Sequence, residues 1–375
     1  MWYKEIEKKL KSKLPVLLRL FLKKNNERHI SIDLFRVKKI LMVRQDDRIG
    51  NLILTTPFLT ALRQFFPYAR VSFLVSRKFH KLLYDSSLVD EVLVADKRKF
   101  IRNPFKLLSF VLKLRKERFD LAFDLSDENE FSLNNSFITY LSQARYRVGH
   151  KKEKSDLFLN IQVPKPEESR HVIDMHLDLL RHLGRNFKTF ELNLDVPEKS
   201  KNLINEYLES KGISGNDTLV GINLGARGRK RWGLYNFIEL AKWLKEELNL
   251  KIIFIHGSEE RKLIRELRKL HQEKFLIADI FPLYLLPALL ERCDLLISGD
   301  SGVMHLSVSV GTPTLAIFLD SDPVKYGPRG EIHQIVLPVN GEVSVQNIKG
   351  KILYMLKNSG GKRFSQMELG RVKEK

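Results

Sequence analysis

The sequence predicts an α/β protein made of two doubly wound domains. Two observations carry this. Short apolar segments alternate with amphipathic ones in two consecutive runs, separated by a weakly patterned stretch near residues 190–198. Polar, glycine-containing turns also stand at the carboxyl ends of several apolar segments, where open parallel sheets bind ligands. A chain of 375 residues is long enough for two separate cores.

In the first run the predicted strands are 40–44, 71–75, 91–95, 121–124 and 146–148. The clearest helices between them are 52–66, 105–116 and 131–142; a loop with Pro164 and Pro166 leads to another helix over about 171–183. The second run reads strand 219–223, helix 235–247, strand 251–256 and helix 259–270. It continues with helix 283–291, strand 295–298, helix 304–310, strand 314–318 and a last helix over roughly 345–356. The resulting division is a basic amphipathic segment 1–37, a domain 38–190, a domain 191–342, and a C-terminal helix with a basic tail, 343–375.

Composition narrows the function. The single cysteine, Cys293, excludes a disulfide framework, and its place between a helix and an apolar strand reads as a buried small residue. No apolar run reaches the roughly 18 residues of a spanning helix, and the start lacks a secretory signal, so a cytoplasmic protein is expected. Sixty-five basic against 45 acidic residues give a net charge of +20, which predicts a polyanionic partner. Residues 1–39 and 357–375 are especially basic. Trp2, Ile6, Leu10 and Leu14 recur among the first lysines as on an interfacial helix, although the same face would also pack on the protein's own body. Stacking aromatics do not alternate with the basic residues, so nucleic acid is not an expected partner.

Four segments can carry chemistry. Residues 295–318, LLISGDSGVMHLSVSVGTPTLAIF, read as a strand, a turn at Asp300, Ser301 and Gly302, a helix and a second strand. The first amides of that helix lack partners within it and can hold an anion. Asp300 and Ser301 occupy positions for a helix cap or for a ligand hydroxyl contact, and His305 lies one turn further on. In VRQDDRIGNLILTTP a strand ending at Arg44 meets Asp46, Asp47 and Arg48, and Gly50 opens a helix. A carboxylate there can act as a general base toward an acceptor hydroxyl, or simply cap the helix and pair with arginine.

The second domain opens with GINLGARGRKRW, a strand running into Gly225, Ala226 and Gly228 beside Arg227, Arg229, Lys230 and Arg231. Small residues and fixed cations at a strand end suit a diphosphate, though no GK[ST] of a Walker loop is present. Trp232 reads slightly better as core than as a ligand wall. In IFIHGSEERKL, Glu259 and Glu260 stand in a first helical turn, where they complement the helix dipole or accept hydroxyls of a sugar. Asp320-Ser321-Asp322 reads as a turn before Pro323, and no metal site is expected.

Together these segments resemble glycosyltransferase family 9, the heptosyltransferases of bacterial lipopolysaccharide synthesis, from about Lys38 to Pro328. KILMVRQDDRIGNLILTTPFLTALRQFFPYARVSFLV looks like the family's opening strand, Gly-Asp loop and TTP helix. GINLGARGRKRW resembles its N-P-G-A…K-R-W segment, and SGDSGVMHLSVSVGTPTLAIFLDSDPVKYGP its D-[ST]-G-x-x-H…G-T-P…Y-G-P signature.

The resemblance implies a GT-B fold of two Rossmann-like domains facing across a cleft. It also implies inversion at the anomeric carbon, no required metal, and no cofactor beyond a nucleotide-sugar substrate such as ADP-heptose. The C-terminal domain would hold the donor through Gly225, Ala226, Lys230, Arg231, Asp300, Ser301, Gly302 and His305, with Glu260, or less readily Glu259, on the nucleoside. Arg48 and Gly50 would lie on the acceptor side, with a lipopolysaccharide-core or other glycolipid as acceptor. The enzyme would then work at the anionic inner face of the bacterial inner membrane.

One position departs from the family: the base is the Asp after the loop glycine, and here that residue is Asn51, which accepts no proton usefully at neutral pH. Asp47 or Asp46 takes over, or the acceptor needs little base assistance, or the protein binds a nucleotide-sugar without turning it over; Asp47 is marginally preferred.

Overall fold

The computed structural model describes residues 33–127, 129–184, 188, 190–270 and 275–358. The predicted interfacial helix near the start and the basic tail fall outside the described residues.

The chain forms two compact units. One comprises Met1–Asp47 and Thr55–Phe190, the other Arg48–Leu54 and Glu191–Lys375. In chain order the first half contains β1 (Lys39–Arg44), α1 (Ile49–Ile53), α2 (Thr56–Phe65), β2 (Arg70–Val75), β3 (Glu91–Val94), α3 (Lys97–Arg102), α4 (Pro104–Lys116), β4 (Leu121–Asp124), α5 (Leu133–Leu141), β5 (Tyr146–His150), β6 (Ile161–Val163) and α6 (Val172–Arg181). The second half contains α7 (Glu198–Ser210), β7 (Leu219–Asn223), α8 (Leu234–Glu246), β8 (Lys251–Ile255), α9 (Arg261–Leu270), β9 (Leu276–Ile277), α10 (Leu286–Arg292), β10 (Leu295–Gly299), α11 (Gly302–Ser309), β11 (Thr314–Ile317), α12 (Pro323–Tyr326), β12 (Gln334–Val336) and α13 (Val345–Asn358).

Both sheets are parallel throughout and have the same plan. The first is ordered β3-β2-β1-β4-β5-β6 and the second β12-β11-β10-β7-β8-β9, so the winding reverses between β1 and β4 and between β7 and β10. Helices cover both faces of such a sheet, which is why β4, β7 and β10 are buried at every position and read as unbroken apolar runs. The residues just beyond β1, β4, β7 and β10 therefore line the two places where a doubly wound sheet opens to a ligand.

Three departures from the sequence reading have local causes. The helix predicted over 52–66 is two helices, because Pro57 cannot extend a helix from Ile53: its ring would meet the Ile53 carbonyl. It instead stands in the first turn of a fresh helix. Helix α3 went unread because KRKFIR has little apolar periodicity; Asp96 starts it by accepting from the Lys99 amide at 3.2 Å. The edge strands β6, β9 and β12, of two or three residues each, are too short to leave a pattern.

Trp232 is core, as expected. Its ring packs edge-on against Phe237, and its indole nitrogen donates to the Val343 carbonyl at 2.9 Å. Cys293 is also buried as expected, and burial pushes its thiol up to about 12. A folded-state thiol with so little thiolate is expected to resist maleimide or iodoacetamide at pH 8 and to react once denaturant is added. Labelling followed by intact-mass measurement checks this, and rapid native labelling would contradict it.

His333 is the second buried titratable outlier. Burial pulls it from 6.5 down to about 4, and its Nδ1 has no hydrogen-bond partner among the described residues. Between those two values the unfolded chain binds more protons than the folded one. The stabilisation is thus complete above pH 6.5 and is lost as pH falls toward 4, with a slope of at most about 1.4 kcal/mol per pH unit. Denaturant titrations across that window are expected to show the slope in the wild type and a reduced one in His333→Leu.

Candidate active site

The second unit's reversal point is assembled around Asn223, the last residue of β7. Its buried amide nitrogen donates to Ser298 Oγ at 2.9 Å, to Ser301 Oγ at 3.0 Å and to the Gly225 carbonyl at 3.2 Å. Its oxygen accepts from the Gly225 amide at 3.1 Å. One side chain thus ties together the turns after β7 and β10. Ser301 caps α11, accepting from the Met304 amide at 3.4 Å, so the first amides of this eight-residue helix start beside the loop of cations.

Arg227, Lys230 and Arg231 of that loop each face a carboxylate. Lys230 Nζ pairs with Asp300 Oδ2, the same oxygen that accepts from Ser321 Oγ at 2.5 Å. Arg231 donates from Nε to the Ala226 carbonyl at 3.0 Å and lies 3.8 Å from Glu260. Glu260 is buried and accepts from the Gly257 amide at 2.9 Å, whereas Glu259 is exposed and takes both Nε and Nη2 of Arg227. Gly299 admits this arrangement: a Cβ there would stand 3.1 Å from the Lys230 carbonyl and 3.3 Å from Ala226 Cβ. The unit therefore gathers Lys230, Arg231, Asp300, Ser301 and Glu260 at the carboxyl ends of three adjacent strands, β8, β7 and β10.

The segment Arg48–Leu54 also belongs to this unit. Ile53 is buried in its core with Leu289, Leu296 and Leu306. Helix α1 lies on α11 through two glycines. A Cβ on Gly302 would stand 2.1 Å from Ile49 Cγ2 and 3.1 Å from the Gly50 amide, and one on Gly50 would stand 2.8 Å from His305 Cδ2. His305 is accordingly buried beneath Gly50 rather than open to one side. Gly50 and Arg48, predicted on the acceptor side, thus group with α11 in the second unit, and Asn51 follows Gly50 within the same short helix.

Asp46 and Asp47 group with the first unit. Its reversal point is built on Arg44, which is buried, donates to the Leu125 carbonyl and to Asp46 at 2.8 Å, and lies 3.4 Å from His176 Nε2. The Gln45 amide donates to Asn135 Oδ1, and its side chain to the Ala95 carbonyl, both at 2.8 Å. Asp124 accepts from Ser136 Oγ at 2.6 Å and from the Ser126 amide, while Lys152 donates to Ser126 Oγ at 2.8 Å. Asp47 pairs with Lys78 at 3.3 Å and accepts from Ser76 Oγ at 3.1 Å. The two aspartates differ in access: the Asp47 side chain is 70% exposed, that of Asp46 30%.

Sequence reasoning passed over Asn223, Ser298 and Ser321, and on the first unit Gln45, Asn135 and Lys152. Asn223 had a usable signal: a polar residue closing an apolar strand directly before the Gly225 loop. In the sequence Ser321 reads as part of a turn. It does stand in one, with Asp322 capping α12 through the Val324 amide at 2.8 Å, but its hydroxyl also reaches Asp300. Asn135 and Lys152 are distant in sequence from the loops they meet and left no signal.

Known proteins resemble this chain in sequence and fold. The chain is 21% identical over 306 residues to the lipopolysaccharide core heptosyltransferase OpsX of Haemophilus influenzae, spanning 80% of this chain and 84% of that protein. A glycosyltransferase family 9 structure from Veillonella parvula superposes with a TM-score of 0.76 at 23% identity, covering 85% of this chain and 97% of the other. The E. coli ADP-heptose lps heptosyltransferase II gives 0.72 at 18% identity, with 84% and 98% covered. These folds are GT-B, as the sequence led us to expect. Residues 107–351 match the model of glycosyltransferase family 9 (heptosyltransferase), and this chain, a glycosyltransferase with two parallel sheets of one plan, belongs to that family.

Proposed function

We propose that the chain is an inverting, metal-independent transferase that moves heptose or a related sugar from a nucleotide-sugar donor, of the ADP-heptose kind, to a lipopolysaccharide-core acceptor or similar glycolipid at an anionic membrane surface. The observation that carries this reading is the convergence of Lys230, Arg231, Asp300 and the Ser301-capped start of α11 at one reversal point. OpsX and its relatives are lipopolysaccharide heptosyltransferases by name, which supports the substrate class. Among the described residues no helix is long and apolar enough to cross a membrane, so a membrane-held acceptor would be met at the surface.

The reaction follows from charge. A base takes the proton of the acceptor hydroxyl, whose oxygen attacks the anomeric carbon from the face opposite the leaving group. The bond from that carbon to the β-phosphate oxygen breaks, and its electron pair leaves with the nucleoside diphosphate. Negative charge grows on the diphosphate as the bond lengthens, so preset cations and helix amides hold the transition state more tightly than the ground state. Lys230, Arg231 and the first amides of α11 supply that charge. Asp300, freed from Lys230 as the lysine turns to phosphate, would accept a sugar hydroxyl, and Glu260 hydroxyls of the nucleoside.

For the base we assign Asp47. Asp46 is held by the buried Arg44, whereas Asp47 is 70% exposed and its pair with the exposed Lys78 is screened by solvent, beside the Ser76 hydroxyl it accepts. A second reading rests on Asn51: with an amide at the position where the family carries its carboxylate, the chain would bind a nucleotide-sugar without transferring it.

Nucleoside diphosphate release from a panel of nucleotide-sugars, with extracted bacterial glycolipid as acceptor, separates the two. Acceptor-dependent release is expected. Asp47→Asn should lower kcat by about 10²–10⁴ with donor KM little changed, and Asn51→Asp in that background should recover part of the loss. Lys230→Ala is expected to cost about 10²–10³ in kcat. Unaltered turnover in Asp47→Asn would remove Asp47 from the mechanism, and donor binding without release under every acceptor would establish the silent protein.

A further inference from the structure

The described surface carries one apolar stripe that the site does not use. It lies on α4, which Asn103 starts by accepting from the Phe105 and Lys106 amides at 3.0 and 3.3 Å. The inner face of this helix is conventional: Val111 and Leu114 are buried, and Leu114 packs with Phe119, Ala122 and Ile138 while Phe110 leans on the same cluster. The outer face is not. Phe105 is 78% exposed, Leu108 55% and Leu112 57%. Their spacing of three and four residues puts all three on one side of the helix, in a line roughly 10 Å long.

The stripe has a rim of a single sign. Between Asp96 and Glu117 the sequence has no acidic residue, and Lys99, Arg102, Lys106, Lys113 and Lys116 are all exposed. An apolar line bordered by lysines is the arrangement of a helix lying in a bilayer interface: the large side chains enter the acyl boundary while the lysines extend toward anionic headgroups.

We propose that α4 is the surface by which this protein docks on an anionic bilayer. A second copy of the chain fits less well. Three side chains fall far below the roughly 800 Å² per partner of a stable interface, and two lysine-rimmed faces would repel. The anionic bilayer answers both the stripe and the rim.

Position adds a functional reason. In a parallel sheet the chain leaves β3 at its carboxyl end and must return to the opposite end to enter β4. Helix α4, the last before β4, therefore runs back along the sheet with its Phe105 end toward the end that carries Asp46 and Asp47. Bonds join the two places: Gln45 Nε2 donates to the Ala95 carbonyl at 2.8 Å, and Arg77 pairs at 2.9 Å with Asp96, which caps the preceding helix. A bilayer bound along α4 would be held near the loop assigned to the acceptor. The proposal deepens the reading of a glycolipid transferase by naming its membrane contact.

The test is sedimentation of the full chain with vesicles of phosphatidylcholine alone or mixed with phosphatidylglycerol, without donor or acceptor. Wild type should partition onto the anionic vesicles and less so in high salt. Phe105→Ser/Leu108→Ser/Leu112→Ser should weaken that partitioning about tenfold or more, with an unchanged thermal midpoint, and Lys106→Glu/Lys113→Glu should weaken it on anionic vesicles alone. Should the triple variant misfold, Phe105→Ser alone is read in its place. Quenching of a Phe105→Trp variant by brominated lipid, above that of wild type, reports insertion directly.

Wild-type partitioning in the stripe variants would overturn the proposal by moving the contact elsewhere, as would the absence of binding to anionic vesicles. A concentration-dependent dimer in sedimentation velocity, lost in the stripe variants, would assign the stripe to a second copy instead. Because none of these readouts needs turnover, failure here leaves the transferase reading standing, and an inactive enzyme leaves the docking surface standing.

Discussion

A parallel strand buried on both faces has nowhere to place a polar group except at its ends, and the rest of this structure depends on that constraint. β4, β7 and β10 have no exposed position, and β1 exposes little beyond its first residue. The chemistry is therefore compressed into the few residues beyond each carboxyl end, and the reversal of winding leaves a gap in the helical cover at two such places. Asn223, Asp300 and Ser301 mark one; Arg44, Asp46 and Asp124 mark the other.

Within the second unit the crowding of polar groups is resolved by pairing rather than by exposure. Asp300 is nearly buried and accepts from both Lys230 and Ser321; Glu260 is buried and closes the turn at Gly257 while facing Arg231. Pairs of this kind leave no buried carboxylate of the site without a cation beside it.

The close contact of α1 with α11 is a second organising feature. Gly50 and Gly302 allow two short helices to meet with backbone near backbone, and the cost of a Cβ at either place shows how little room is left. Arg48–Leu54 is thereby drawn into the second unit, although the chain before and after it belongs to the first. Asn51 is carried with α11, while Asp46 and Asp47, a few residues earlier, remain in the hydrogen-bond network of the other sheet. The departure at Asn51 thus separates two physically different positions, not two versions of one.

Much of this was legible in the sequence alone. Alternating apolar runs and amphipathic segments determined the two doubly wound sheets, because burial on both faces forces continuous apolar strands and 3.6-residue periodicity in the covering helices. The glycine-containing turns at strand ends marked Gly50, Gly225, Asp300 and Ser301. Local chemistry likewise marked Cys293 as core, and it favoured core only slightly for Trp232, which packing then buried. Tertiary structure alone decided who pairs with whom. That Lys230 meets Asp300, that Asn223 joins two turns, that Asn135 supports Gln45 and that α1 sits on α11 are contacts between residues far apart in the chain. Periodicity reports which face of an element is buried; it contains no information about the partner brought against that face. The exposed stripe of α4 marks the same boundary: its spacing is written in the sequence, but only packing shows which of the helix's two apolar faces the core takes.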